Sequence, residues 1–396
     1  MRVLILTKIF PNAVEPLSSP FNRRQFAALA RYCEVEVLAT IPWFPGAAAV
    51  RRWSDVAKLA EVPRSECIDG LRVHHPRFVS LPKIGRAVAG PLYAASLAPT
   101  ALRYRGRVDI VLGSWAYPDG FAAVVLADML DVPAVIKLHG SDMNVVARLP
   151  GPARALRWAL PRAERVVAVS RPLAEAAAEL GVARERIDLV PNGIDRTKFA
   201  PRDRAQARAA LGLPNDGKIV LYVGHIKTTK GAFDVVRAFA SIAARTPDAR
   251  LVLVGGGPEL AACREEARRL SPSITVVGAE PHDRIPLWLA ACDLLTLPSW
   301  NEGMPNVVLE ALASGRRVVA SRVGGIPDVV TEELGVLVPP RDVNALARAL
   351  ERALATDYDP GSISAALERP DWDGSARLLH ESLLSALAGR ATREAA

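Results

Sequence analysis

Short apolar runs rich in β-branched residues alternate with helical patterns along the chain, and this alternation limits the possible folds more than any other feature. Strands that alternate with helices predict a parallel sheet covered by helices on both faces. In the first half the predicted strands are VLIL (3–6), VEVLA (35–39), LRVHH (71–75), DIVLG (109–113), AVIKL (134–138) and RVVAVS (165–170).

The alternation restarts after a break, so the chain carries two such sheets in series. The break at 191–215 contains Pro191, Gly193 and Pro214 and no full apolar period, which is typical of a linker. The second series of predicted strands is KIVLYVG (218–224), RLVLVG (250–255), ITVVG (274–278), DLLTL (293–297), RVVA (317–320) and GVLV (335–338).

These patterns predict an α/β protein with two doubly wound domains that face each other across a central cleft. We predict an N-terminal domain over 1–190, an interdomain linker over 191–215 and a C-terminal domain over 216–370. The amphipathic pattern at 371–389 predicts a final helix that packs back on the first domain.

Composition excludes several classes of protein. Half of the 396 residues are apolar, 23% are charged, and the four cysteines form no C-x-x-C pair. A disordered chain, a disulfide scaffold and an integral membrane protein are therefore not expected. The first apolar run ends at Lys8 and Pro11, too early for a secretory signal, so we expect a cytoplasmic protein.

The net charge of +8 lies entirely in residues 1–190. Two stretches there, 81–107 and 148–165, mix arginines with apolar residues and with aromatic residues such as Trp158. This composition suits peripheral contact with an anionic membrane at its inner face, or helices that pack in the domain with solvated arginines. Nucleic acid is not expected as a partner, because no recognition motif accompanies the charge.

The segment LPSWNEGMPNVVLEALASG (297–315) runs from a strand end through a loop into a helix that should begin near Met304–Asn306. The unpaired amides of such a helix start attract phosphate. Glu302 lies in the loop and Glu310 about one turn inside the helix. From spacing alone, the two carboxylates bind sugar and ribose hydroxyls, or they are an ordinary loop residue and a solvated helix residue.

The segment resembles the E-x7-E signature of retaining glycosyltransferases of family four, the group 1 glycosyl transferases of GT-B fold, with Glu302 and Glu310 as the two glutamates. The resemblance covers essentially the whole chain in the family's order. Its other segments are KLHGSD (137–142), VPNGID (190–195), YVGHIKTTKG (222–231), LVGGGPE (253–259) and ASRVGGIPDVV (320–330).

The resemblance implies that the C-terminal domain binds the nucleotide-sugar donor. Lys230 would neutralise the donor diphosphate, Glu310 would bind the nucleotide ribose, and Glu302 would act as a catalytic residue on the transferred sugar. The helix start would bind the diphosphate and sugar through Gly303, Met304, Pro305 and Asn306.

His225 stands where the family usually has an arginine of the diphosphate clamp. A neutral imidazole carries no permanent charge. Either His225 is protonated by the diphosphate beside it, or Lys227 or Arg322 supplies the second charge.

In the N-terminal domain the resemblance implies that His139 is a catalytic residue that reaches the donor phosphate and a sugar hydroxyl. Asp142 would orient the loop or the acceptor, or it is a helix N-cap. Related enzymes bind part of the acceptor in the loop at 7–26, which contains Asn12 and Arg23. Arg23 meets an anionic acceptor or is solvated.

These implications predict retaining transfer of a sugar from a nucleotide-diphosphate sugar to a polysaccharide, glycolipid or lipid-linked acceptor. We expect no cofactor beyond the nucleotide sugar, and no metal, because Asp357-Tyr-Asp359 and Asp371-Trp-Asp373 lie in the C-terminal tail. The alternatives are a GT-B sugar-nucleotide epimerase and a catalytically silent sugar-nucleotide-binding protein.

Overall fold

The computed structural model describes residues 1–16, 18–44, 58–80 and 89–395, which divide into two compact units. The first unit contains Met1–Gly193 together with the chain from Pro370 onward, and the second contains Ile194–Arg369. The first part of the predicted basic stretch at 81–107, residues 81–88, lies outside the described residues.

The first unit is built on an eight-stranded sheet that is parallel except for one edge pair. The strands of this unit are β1 (Arg2–Thr7), β2 (Glu34–Ala39), β3 (Ile41–Trp43), β4 (Ser65–Ile68), β5 (Leu71–His74), β6 (Arg77–Val79), β7 (Ile110–Ser114), β8 (Ala134–Leu138), β9 (Arg165–Ala168) and β10 (Ile187–Leu189). The sheet order is β10-β9-β8-β7-β1-β2-β5-β4, while β3 and β6 form a separate parallel pair.

Every residue of β7 and β8 is buried, as expected for central strands with helices on both faces. The helices of this half are α1 (Pro20–Leu29), α2 (Ala89–Ala101), α3 (Phe121–Leu130), α4 (Ser141–Asn144), α5 (Pro150–Ala159) and α6 (Arg171–Glu179).

The sequence analysis missed β4, which pairs antiparallel with β5. This strand is polar and has no fully buried residue, so it lacks an apolar run. Asp69 and Gly70 connect the two strands, with φ values of 50° and 80°. Positive φ at both central residues is the geometry of a tight hairpin turn, for which Asp-Gly is a strong signal.

The second unit contains a six-stranded, entirely parallel sheet. Its strands are β11 (Lys218–Val223), β12 (Ala249–Val254), β13 (Ile274–Gly278), β14 (Leu294–Leu297), β15 (Arg317–Ser321) and β16 (Gly335–Val338). Its helices are α7 (Arg204–Leu211), α8 (Ala232–Ile242), α9 (Leu260–Leu270), α10 (Ile285–Ala291), α11 (Asn306–Ala313), α12 (Val343–Ala355) and α13 (Pro360–Ala365). Each strand predicted in this half is present.

The strand order of the second unit is β13-β12-β11-β14-β15-β16. The chain therefore leaves in opposite directions from the neighbouring strands β11 and β14. In open α/β sheets, ligands bind beyond the carboxyl ends of the strands at such a switch point.

The structure differs from the predicted linker at 191–215. The second unit already begins at Ile194, and α7 packs against α10 inside it. The reason is Arg208, a fully buried residue of α7. Its guanidinium donates to the Ala291 carbonyl at 2.9 Å, the Asn215 carbonyl at 2.6 Å and the Asp293 carboxylate at 2.6 Å.

The final helix, α14 (Trp372–Ala395), extends beyond the predicted 371–389 and belongs to the first unit. It packs on α1, and four of its apolar residues complete the core on that face of the sheet: Ala376, Leu379, Leu383 and Ala386. Across the described residues, no helix combines the length and apolarity needed to span a membrane.

Candidate active site

The loop after β14 leads into α11, which begins at Asn306, within the predicted range of 304–306. Pro305 is the N-cap residue of α11 and has no N–H of its own. It therefore cannot donate a hydrogen bond to the nucleotide sugar, although the resemblance implied that Gly303, Met304, Pro305 and Asn306 all contact it. The Pro305 side chain makes no capping hydrogen bond to the helix. The first-turn amides of the helix point back towards the preceding loop, which contains Glu302.

Lys230 and Glu302 form an ion pair with 2.8 Å between Nζ and Oε1. Lys230 ends the short helical turn after β11, and Glu302 lies in the loop after β14. These are the two strands at the switch point, so strand order brings together residues 72 positions apart in sequence. The pair puts one positive and one negative group beside the N-terminus of α11.

Two interactions hold the turn that carries Lys230. The Glu259 carboxylate accepts hydrogen bonds from the backbone N–H and the hydroxyl of Thr228, at 2.8 and 2.6 Å. These bonds lower the pKa of Glu259. The backbone N–H of Trp300 donates to the Thr229 carbonyl at 3.0 Å, which joins the Lys230 turn to the loop before Glu302.

The loop after β15 packs closely against the Glu302 loop. The N–H of Gly325 donates to the Gly303 carbonyl at 2.6 Å. A Cβ atom on Gly324 would lie 2.0 Å from the Glu302 carbonyl oxygen, and Gly324 has a φ of 52°. Only glycine fits this close approach without displacing the backbone of Glu302.

Glu310 is a buried residue of α11 and contacts His282. The His282 Nε2 and Glu310 Oε1 atoms are 3.0 Å apart. The interpretation of Glu310 as a solvated helix residue is therefore wrong, because its side chain is 9% exposed and hydrogen-bonded.

His225 is exposed, as are Lys227 and Arg322. The hydroxyl of Tyr222 lies 2.9 Å from the His225 carbonyl oxygen and 3.2 Å from the Lys230 carbonyl oxygen, and its one proton is shared between them. Tyr222 thus fixes the backbone at both of these residues. Which residue supplies the second charge of the clamp stays open between His225, Lys227 and Arg322.

In the first unit, His139 follows β8 and lies between two aromatic rings. The centroids of Phe21 and Trp115 are 5.2 and 5.9 Å from the imidazole. Its Nε2 atom is 2.9 Å from the Ser114 hydroxyl at the end of the neighbouring strand β7.

A chain of hydrogen bonds connects His139 to Asn22 through Ser114. The Asn22 amide nitrogen donates to the Ile9 carbonyl at 2.9 Å, so the Asn22 oxygen faces Ser114 and lies 3.3 Å from its hydroxyl oxygen. Ser114 has one proton, which it can give either to the Asn22 oxygen or to His139 Nε2, and in the second case the neutral ring carries its own proton on Nδ1.

Burial lowers the pKa of His139 well below its usual value, and the charge of Lys137 lowers it further. A neutral imidazole has one donor and one acceptor nitrogen, so a phosphate oxygen and a sugar hydroxyl can both bind to it, and both contacts implied for His139 stay predictions.

The residues assigned to the acceptor side have structural partners. The fully buried Asp142 carboxylate accepts from the N–H groups of Ala116, His139, Gly140 and Met143. It therefore orients the strand-end loop, one of the two roles predicted for it. Burial prevents it from reaching an acceptor.

Asn12 is also buried, and its side-chain oxygen accepts from the N–H groups of Val14 and Glu15 at 3.0 and 2.9 Å, which closes a turn in the loop. Arg23 pairs with the Asp69 carboxylate through two bonds of 2.6 Å. Its guanidinium is therefore ion-paired with the turn between β4 and β5 rather than simply solvated.

Ser114, Glu259 and His282 support the predicted groups but were not singled out from the sequence. Glu259 lies in the quoted segment LVGGGPE, which was the available signal. Ser114 directly follows the predicted strand 109–113, and His282 has no local motif around it. Within the described part of the chain, no three His, Cys, Asp or Glu side chains gather in a metal-binding group.

Two family models match the chain. One, described as Glycosyltransferase Family 4, matches residues 23–198, and the other, described as Glycosyl transferases group 1, matches residues 217–356. Together they match a large part of each unit.

Curated relatives match over most of their length. A protein described as a putative teichuronic acid biosynthesis glycosyltransferase, TuaC of Bacillus subtilis, is 29% identical over 89% of this chain and 89% of its own. The 2-deoxystreptamine glucosyltransferase of Streptomyces kanamyceticus is 32% identical over 82% of this chain and 85% of its own.

A solved structure has the same fold. Anabaena Alr3699/HepE in complex with UDP superposes with a TM-score of 0.73 at 21% identity, covering 97% of this chain and 100% of its own.

Proposed function

The chain belongs to the group 1 glycosyltransferases of family four and has their GT-B fold, and from this membership we propose a retaining enzyme that uses a nucleoside-diphosphate sugar. The observation that carries the proposal is the Lys230–Glu302 pair beside the N-terminus of α11. None of the matches reported above describes an epimerase, so that alternative has no support.

In the proposed donor complex, the diphosphate competes with Glu302 for Lys230. Lys230 then neutralises the phosphates together with the first amides of α11. Glu302, released from Lys230, accepts hydrogen bonds from hydroxyls of the transferred sugar. Because HepE was solved with UDP, UDP-sugars are our first candidates for the donor.

In the proposed reaction, the bond between the anomeric carbon and the diphosphate oxygen breaks. The acceptor oxygen bonds to the same face of that carbon, and its proton passes to the departing phosphate oxygen. Lys230 and the helix amides stabilise the charge on the leaving group, and His139 accepts a hydrogen bond from the sugar. We propose that these groups act without a metal, so that EDTA leaves turnover unchanged. A loss of turnover restored by a divalent cation would contradict this.

The proposed acceptor is a glycan or lipid-linked intermediate of the cell envelope. TuaC is named for teichuronic acid biosynthesis, which supports this class. We further propose a cytoplasmic enzyme that contacts the inner face of an anionic membrane through α5 and the following turn. Trp158 is 36% exposed there, and the Arg162 guanidinium lies 4.7 Å from its ring centroid.

The donor proposal is tested by thermal shift with UDP-, GDP- and ADP-sugars and bare nucleotides, followed by turnover with membrane and glycan acceptors. One nucleotide should raise the unfolding midpoint of the wild type, and Lys230→Met should abolish that rise. Glu302→Gln should keep the binding of bare nucleotide, since Lys230 loses its competitor, but should reduce turnover by at least about 100-fold. Binding without turnover by the wild type would support the silent binder instead.

The membrane proposal is tested by vesicle flotation. The wild type should float with vesicles rich in phosphatidylglycerol and stay with the soluble fraction when the vesicles are phosphatidylcholine alone. Trp158→Ala with Arg162→Ala should weaken the flotation. Equal behaviour of wild type and variant would remove this surface as the contact.

A further inference from the structure

The Glu310 carboxylate, proposed to bind the donor ribose, already has one oxygen engaged. Its Oε1 atom is 3.0 Å from Nε2 of His282, which lies in the short helical turn His282–Arg284 before α10. The two residues are 28 positions apart in sequence. An ionised carboxylate can only accept, so Nε2 of His282 carries the proton of this hydrogen bond.

The His282 ring is held by a second contact. It packs edge-on against Phe199, with 5.7 Å between ring centroids and an interplanar angle of 83°. Phe199 is itself 1% exposed, so the ring rests on a fixed surface.

Ion pairs fix the turn on both sides of His282. The Lys198 ammonium pairs with Asp283, and the Arg284 guanidinium lies 3.5 Å from the Glu280 carboxylate. Exposed pairs of this kind contribute little energy individually. Their effect here is to restrict the backbone that carries the His282 ring.

We propose that His282 is a positioning residue for donor binding, which rests on the proposed role of Glu310. The imidazole holds the Glu310 carboxylate in one orientation. The remaining acceptor sites of that carboxylate are then already oriented for the two ribose hydroxyls of a nucleoside diphosphate. Binding therefore loses less side-chain entropy at Glu310. His282 need not touch the donor itself.

Two substitutions separate the hydrogen bond from the packing. His282→Phe keeps an aromatic ring against Phe199 but removes the donor nitrogen. His282→Gln restores an amide N–H but loses the ring. We expect His282→Phe to weaken the binding of UDP about tenfold, as for loss of a charge-assisted hydrogen bond, and His282→Gln to recover much of the affinity.

The binding is measured by titration calorimetry with UDP, GDP and ADP, and with inorganic pyrophosphate, which has no ribose. Pyrophosphate affinity should be equal in wild type and His282→Phe. In a Glu310→Gln background, His282→Phe should cause no further loss, because the carboxylate that it orients is gone. His380→Phe, at a histidine that stacks on Tyr32 in the first unit, is the matched control.

The outcomes distinguish this inference from the proposed function. If wild type binds a nucleotide and His282→Phe binds it equally well, the positioning role is overturned while the donor site stands. The same holds if His282→Phe and Glu310→Gln have fully additive effects. A wild type that binds none of the nucleotides overturns both proposals. If His282→Phe also binds pyrophosphate more weakly than wild type, the loss of UDP affinity reflects general damage of the fold, and the positioning role is overturned.

Discussion

Lys137 is a charged residue in the interior of the first unit. Its side chain lies under the His139 strand end and is fully buried, and its ammonium donates to the side-chain oxygen of Gln25. Burial lowers the pKa of Lys137 to about 7, although the charge of Asp142 opposes this shift. Burying an ammonium beside a neutral partner costs free energy. The charged form of Lys137 therefore lowers the stability of the first unit, and it does so close to the candidate catalytic residue His139.

The penalty has a predictable pH window. The folded protein releases the Lys137 proton near pH 7, whereas the unfolded chain holds it up to the ordinary value of 10.5. The unfolded state therefore binds more protons in this window, and the free energy of unfolding should rise with pH by about 1.4 kcal/mol per unit. Lys137→Met should lack this increment in urea unfolding between pH 7 and 10. Lys218→Met, at a partly exposed lysine, should keep the wild-type slope; equal slopes in all three proteins would contradict the prediction.

Local sequence patterns pointed to the candidate site residues, but not to the residues that are hydrogen-bonded to them. Glu302, Lys230 and His139 stand in segments whose local pattern is informative. His282 and Ser114 act through hydrogen bonds to residues 28 and 25 positions away, and such contacts leave no trace in local spacing.

Elements were predictable where burial imposes a pattern. Central strands such as β7 and β11 are apolar because helices cover both faces of their sheets. The edge strand β4 is polar and does not follow this pattern. The length of the predicted linker was overestimated because one buried arginine, rather than an apolar stripe, anchors α7. Edge strands and polar anchors depend on tertiary contacts that a residue pattern does not contain.

The loop after β15 offers a prediction at this scale. Gly324→Ala should destabilise the second unit by about 1–3 kcal/mol and weaken UDP binding, because the new methyl group would displace the Glu302 backbone. Gly212→Ala is the matched control, since Gly212 has a φ of 65° but no atom within 4 Å of an added Cβ. Urea unfolding and calorimetry measure both effects. Equal losses in the two variants would mean that backbone strain, not the contact with Glu302, sets the cost.

At the scale of the whole molecule, the two units each have their own sheet and core. We expect two unfolding transitions in scanning calorimetry. Binding of a nucleoside diphosphate should raise the midpoint temperature of the transition that belongs to the second unit. Leu379→Ala, in the core part of α14, should lower the midpoint temperature of the first unit's transition. The expected loss in the free energy of unfolding is about 2–5 kcal/mol. Leu384→Ala in the same helix is 45% exposed in the wild type and should lower neither. A single transition that moves as a whole in Leu379→Ala would show that the units unfold together.

The chain enters the second unit at Ile194 and returns to the first at Pro370. A ribosome therefore synthesises all of the second unit before it makes α14, which contributes Leu379 and Leu383 to the core of the first unit. Domains generally fold as units as they emerge. The half that is translated second can thus reach its final structure first, while the apolar face of α1 stays uncovered until the last helix leaves the exit tunnel.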